Sequence, residues 1–186
     1  APSRDIADRL MASFGSMLIY WHHFSHSGRR IEVETDDDSI GGHILHLLHG
    51  RKPPDLWVRA MHTSLILYAE HEFNASTFTA RVVAGTGSDM YSAVTAAIGA
   101  LKGNLHGGAA EATMNTLLEI GDLGHVEAFV DNAFATKRKI MGIGHRIYKH
   151  GDPRATHLLE WARRMEQAQA NGSEYVDMAL GVEQAV

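Results

Sequence analysis

No alternation of apolar and polar residues in this chain outlasts IEVE at 31–34, and that absence constrains the fold most. A half-buried sheet needs period-2 strands, and one stretch of this length does not supply them. Helical spacing recurs instead. Ile6, Leu10, Phe14, Met17 and Leu18 lie close to one helical period apart and predict a helix from Asp5 to about Phe24. The polar run SHSGRRIEVETDDDS at 25–39 interrupts it, with Gly28 as hinge. Ser39 is placed to cap a second helix through Ile40, Ile44, Leu45 and Leu48, which Gly50 ends. Pro53-Pro54 opens a third, from Asp55 to about Ala69, and His71 to Ala84 reads as its continuation or a bent extension. Gly85-Thr86-Gly87 stops that run, and Ser88 is placed to cap SDMYSAVTAAIGAL. Beyond a glycine break at 103–108, helices are predicted over Glu111 to Ile120, His125 to about Lys137, Ala155 to Ala170 and Ser173 to Val186. The fold class is all-α.

At 186 residues the chain has room for one sizeable core or two small ones. A net charge of -5 gives no sign of a nucleic-acid partner or an anionic membrane, and no apolar run approaches the length of a span. Cysteine is absent, which excludes disulfides and thiolate chemistry and fits a reducing, cytoplasmic setting. The polar start APSRDIADRL is no secretory signal, and its entry in mid-helix without Met leads us to expect a truncated or processed chain.

Thirteen histidines are the compositional oddity. His22 and His26, and His43, His46 and His49, recur at helical spacing, which can place imidazoles on one face for a metal. No HExxH motif accompanies them, no cysteine is available, and no carboxylate occupies an obvious third-ligand position. Helix histidines bonded to backbone or water are the expectation, and no metal site is assigned. A metal-dependent hydrolase would require three imidazoles or carboxylates to converge.

Two glycine-rich interruptions each carry a histidine: LKGNLHGGAAEA, with His106, and IMGIGHRIYKHGDPRA at 140–155, with His145. A histidine kept only for packing does not need bare backbone beside it; one that a ligand must approach does. The second loop adds Arg146, Lys149 and Arg154. Gly142 and Gly144 expose amides to a planar or phosphorylated ligand, and Arg154 can grip a carboxylate bidentately. The plain alternative is that both are inter-helix loops using Gly for positive φ. Arg154 could equally pair with Asp152, and Lys149 could be a solvated surface cation.

HEFNAST at 71–77, LHGGAAEA at 105–112 and GHRIYKHGDPRA at 144–155 resemble, in order and spacing, three signature segments of the citrate synthase family. The stretch ETDDDSIGGHILHLLHG at 34–50 is more similar to the 2-methylcitrate synthase branch. The resemblance implies condensation of an acyl-CoA with oxaloacetate through a thioester enol, giving citrate or 2-methylcitrate and CoA. It implies that His106 stabilises the enol oxygen and that His145 polarises the ketone and protonates the new alkoxide. His71 and Arg154 would hold the oxo acid, and Asn74 and Ser76 would shape its floor or simply cap a bend. Lys139, Ile140, Met141, Gly142 and Ile143 would receive the adenine end of CoA, with Lys149 on a CoA phosphate. No cofactor beyond the acyl-CoA substrate is implied. Residues 1–107 would belong to a large helical domain and 108–186 to a small one, closing over a cleft. A homodimer or larger homo-oligomer is implied, with the small-residue helix 88–101 either in the interface or packed within one subunit.

The departures are as informative. Asn104 stands where the family has proline, and Ala110 where it has asparagine. The family's base is an aspartate in a segment resembling NVDFYSG, which does not occur here; Asp177 lies too early and lacks that context. The expectation is the central part of a two-domain enzyme, incomplete at both ends. The alternative is a non-catalytic CoA- or dicarboxylate-binding fragment. Propionyl-CoA is weakly favoured over acetyl-CoA.

Overall fold

The structure is a computed structural model that describes residues 3–145, 148, 151–168 and 174–186. Among the described residues every regular element is helical: α1 (Ser3–Ser27), α2 (Ile40–His49), α3 (Asp55–Tyr68), α4 (Ala75–Gly85), α5 (Met90–Leu101), α6 (Gly108–Ile120), a 3₁₀ turn (Leu123–His125), α7 (Val126–Ala135), α8 (Ala155–Gln167) and α9 (Tyr175–Ala185). The all-α expectation holds, and IEVE lies in irregular chain between α1 and α2. No described helix is long and apolar enough to cross a membrane.

Among the boundaries that differ from expectation, two have a clear local cause. The segment from His71 does not continue α3. Residues 70–74 leave the helix, with Glu72 at φ 49, and α4 begins afresh where the Asn74 side chain accepts from Thr77 N–H at 3.0 Å. Asn is a strong N-cap and tolerates the extended backbone a cap requires, so it outcompetes helix continuation. The cap of α5 is Asp89 rather than Ser88, accepting from Ser92 N–H at 2.9 Å. Ser39 and Gly50 do cap α2: Ser39 Oγ accepts from Gly42 N–H at 3.1 Å, and Gly50 adopts φ 65.

The chain divides into two compact units, Ala1–His71 and Glu72–Val186. In the first, α2 packs on α1 and α3 at glycines. A Cβ on Gly15 would stand 2.9 Å from Ile44, and one on Gly41 would stand 2.9 Å from His62. The histidines of this unit tie it together. His43 shares hydrogen bonds with Ser16 Oγ at 2.8 Å and Thr35 Oγ1 at 2.9 Å, so one ring joins α1, α2 and the segment between them. His23 Nε2 donates to the Leu47 carbonyl at 3.0 Å, and His46 Nδ1 meets Asp37 Oδ2 at 2.6 Å.

In the second unit α5 packs along α4, and Leu117, Ile120, Val126, Val130, Met178 and Val182 from α6, α7 and α9 form one apolar cluster. Phe129, Ile140 and Ile143 pack against it. That last pair matters for function. It anchors the irregular chain after α7 by apolar burial, each half-buried side chain contributing less than the roughly 1.5–3 kcal/mol of a fully buried one. The half-exposed Arg138–Glu119 pair, 2.6 Å on both prongs, ties the same segment to α6, weakened by solvent screening.

Candidate functional site

His106 lies on the turn between α5 and α6. Its N–H donates to the Gly103 carbonyl at 2.9 Å and its carbonyl accepts from Ala109 N–H at 3.0 Å, so the imidazole sits at the mouth of α6. The adjacent glycines have a steric cause. A Cβ on Gly107 would fall 2.6 Å from the Leu101 carbonyl, and one on Gly108 would fall 3.0 Å from the carbonyls of Lys102 and Gly103. The bare backbone therefore lets the turn close tightly, and it also leaves few side chains around the ring. His106 Nε2 and Ser76 Oγ, in the first turn of α4, share a hydrogen bond of 2.5 Å. With the hydroxyl donating, the imidazole carries its proton on Nδ1 and can donate it to an oxygen.

The second histidine loop is fastened to α6 as well. Lys137 takes φ 55 at the end of α7, and the Arg138 N–H returns to the Ala133 carbonyl at 2.8 Å. Arg138 grips Glu119 of α6, which holds that carboxyl below its ordinary range and the guanidinium above its own. Gly142, at φ 91, lies where a Cβ would be 2.8 Å from Thr113 of α6. Of the residues expected to meet CoA, Ile140 and Ile143 turn their side chains to the apolar cluster, while Lys139 and Gly142 are exposed and Met141 is half-buried. What this loop can offer a ligand is Lys139 and bare backbone at Gly142 and Gly144 (φ 75).

His145 ends the loop, exposed, and Tyr148 N–H donates to its Nδ1 at 3.2 Å. A backbone N–H can only donate, so Nδ1 is unprotonated and the neutral ring carries its proton on Nε2. The Tyr148 ring stacks on the imidazole, with centroids 4.7 Å apart and planes 29° apart. Arg154, at the N-terminus of α8, is fixed by Asp152, with Nε to Oδ1 at 3.0 Å and Nη2 to Oδ2 at 2.6 Å, and its guanidinium lies 5.9 Å from the Tyr148 centroid. Asp152 thus orients the fork from one side, and the guanidinium faces the Tyr148 ring. Arg146, Lys149 and His150 lie outside the described residues.

His71 belongs to the first unit and Asn74 to the second, where it caps α4. Asp177, not expected to be the base, pairs with Arg163 at 2.6 Å. Tyr148 is the addition to the sequence reading, and Ser76, expected there at the oxo-acid floor or as the cap of a bend, meets His106 instead. Ser76 stood in HEFNAST with no assigned partner, and its contact with His106 spans thirty residues. The carboxylates near His46 also escaped the sequence reading, because they reach it across a loop. Among the described residues Asp36, Asp37 and His46 offer ligand atoms within 4.8 Å of one another. Those atoms already satisfy each other: His46 holds Asp37, and Lys52 stands 3.8 Å from the exposed Asp36.

Residues 1–186 match the family model of the citrate synthase C-terminal domain. The chain belongs to the citrate synthase family. It is 55% identical to a 2-methylcitrate synthase of Shewanella oneidensis over 160 residues, covering 86% of this chain and 43% of that protein. It is 48% identical to citrate synthase 2 of Bacillus subtilis over 151 residues, covering 81% of this chain and 40% of that one. Among solved structures it resembles the citrate synthase of Thermoplasma acidophilum in ternary complex with carboxymethyl coenzyme A and oxaloacetate. There the TM-score is 0.88 at 36% identity, over 98% of this chain and 48% of that one. The chain thus spans less than half the length of the curated relatives it matches. These relatives are condensing enzymes of the transferase type.

Proposed function

We propose that this chain supplies the paired-histidine half of an enzyme that condenses an acyl-CoA with oxaloacetate, releasing 2-methylcitrate or citrate and CoA. The observation that carries the proposal is the anchoring of both glycine-flanked histidine loops to α6, each with its ring fixed by a named partner. His106 donates to the thioester oxygen as the enol forms, where developing charge makes a fixed donor most effective. The enol carbon attacks the ketone carbon while His145 Nε2–H polarises the ketone oxygen and gives it the proton. Water then cleaves the thioester C–S bond and CoA leaves as the thiol. Arg154 and His71 hold the carboxylates of the oxo acid, with Asn74 at the same floor, and Lys139, Met141 and Gly142 lie along the CoA, with Lys149 on a phosphate. No cofactor is needed beyond the acyl-CoA substrate.

Similarity to the Shewanella 2-methylcitrate synthase favours propionyl-CoA over acetyl-CoA. A cytoplasmic homodimer is the assembly proposed, with residues 1–107 in a large domain and 108–186 in a small one that closes over the substrates. None of the matched segments supplies a base for the thioester α-proton, so binding without enolisation stands as the second reading.

The test exploits the absence of cysteine, which leaves the protein with no thiol of its own to react with a disulfide reagent. Oxaloacetate-dependent thiol release should proceed faster with propionyl-CoA than with acetyl-CoA. Faster release with acetyl-CoA would overturn the branch assignment. Saturable CoA binding with no release from either would establish the binding reading.

A further inference from the structure

We propose that Tyr148 is a positioning residue that makes His145 and Arg154 a single body; this rests on the condensing-enzyme reading above. The two groups that would act on the oxo acid lie nine residues apart, on an irregular stretch and at a helix start. His145 is exposed, and an exposed imidazole with two rotatable bonds samples several rotamers unless something restrains it. Tyr148 restrains it twice. Its backbone N–H fixes Nδ1 from the edge at 3.2 Å, and its ring covers one face at a centroid distance of 4.7 Å. The edge contact selects the Nε2–H tautomer, and the face contact sets the direction in which that N–H points.

The ring also meets Arg154, whose guanidinium carbon is 5.9 Å from its centroid, and Asp152 holds the guanidinium from its Nε edge. A half-buried aromatic ring thus lies against both a donor for a ketone and a cation for a carboxylate. Those groups recognise the two ends of a 2-oxo acid only when their separation is fixed, because a displacement of about 1 Å can cost on the order of a hundredfold in rate. Thr113 and the apolar cluster fix the loop as far as Gly142 and Ile143. Tyr148 carries that order on to the two reacting side chains.

The experiment compares Tyr148→Phe, Tyr148→Leu and, as a second aliphatic variant, Tyr148→Met in the full chain. Steady-state kinetics with oxaloacetate and propionyl-CoA are paired with ¹H–¹⁵N spectra of the histidine rings, the His145 signals being assigned by their loss in His145→Gln. The ring face is the contact, so Tyr148→Phe should keep both parameters and the ring-current displacement of His145. The aliphatic variants should raise KM for oxaloacetate about tenfold or more with KM for the acyl-CoA unchanged, and should lose the displacement, while the tautomer, which the backbone N–H selects, should persist. A general loss of folding would lower apparent kcat and the melting temperature without raising one KM selectively. An unchanged oxaloacetate KM or unchanged His145 signals in the folded aliphatic variants would overturn the proposal. If the unmodified protein showed no condensation, the enzyme reading would fall on that result alone, and the spectra would still decide what Tyr148 does.

Discussion

At the scale of single residues, the proposed chemistry depends on short contacts that orient rings. Ser76 fixes His106 at 2.5 Å, so Ser76→Ala should lower kcat by about tenfold to a hundredfold while changing stability by no more than about 1 kcal/mol. Paired assays and melts check this; an unchanged kcat would mean that the hydroxyl does not set the ring. A second contact speaks to pH. Burial alone would push the Asp37 carboxyl up, but hydrogen bonds with His46 and Thr35 and the charges of His46 and Lys52 outweigh it, and the group titrates below its ordinary 3.8. A folded-state pKa below the unfolded one contributes stability that is fully present above the unfolded value and is lost as pH falls through the folded value. Denaturant titrations from pH 6 downward should therefore show stability falling below about pH 4. In Asp37→Asn that component of the fall should be absent, and stability at neutral pH lower by about 1–3 kcal/mol.

At the scale of elements, local rules predicted some boundaries and lost others. Ser39 and Gly50 bound α2 as their chemistry dictates, because each acts on its own backbone within a turn. The break before α4 was not legible from apolar spacing, since the apolar residues keep helical register through it; Asn74 and the positive φ of Glu72 decide it. Lys137 offers a test of the same logic. It ends α7 at φ 55, a conformation that costs a side chain about 1 kcal/mol relative to glycine. Lys137→Gly should raise the melting temperature by about 2–4 °C, the shift expected of roughly 1 kcal/mol in a chain of this size. A lower melting temperature would mean that the lysine side chain itself holds the loop.

At the scale of the molecule, the fold class and the two histidine loops were legible because helical period and bare glycines are local signals. The partners of the histidines were not. Ser76 reaches His106, Thr113 meets Gly142, and Asp37 meets His46, and each pairing depends on how helices pack. Large apolar side chains such as Leu18, Trp21, Ile66 and Leu105 remain more than half exposed, in a chain that spans under half of its curated relatives. The central claim is that the two histidines are the chemical groups of a condensing site. Its most direct test measures oxaloacetate-dependent CoA release from propionyl-CoA by the unmodified protein, His106→Gln and His145→Gln, with melting curves alongside. The unmodified protein should release CoA, and each variant should lose about a hundredfold or more of that rate at unchanged melting temperature. Release that survives both substitutions would contradict the central claim.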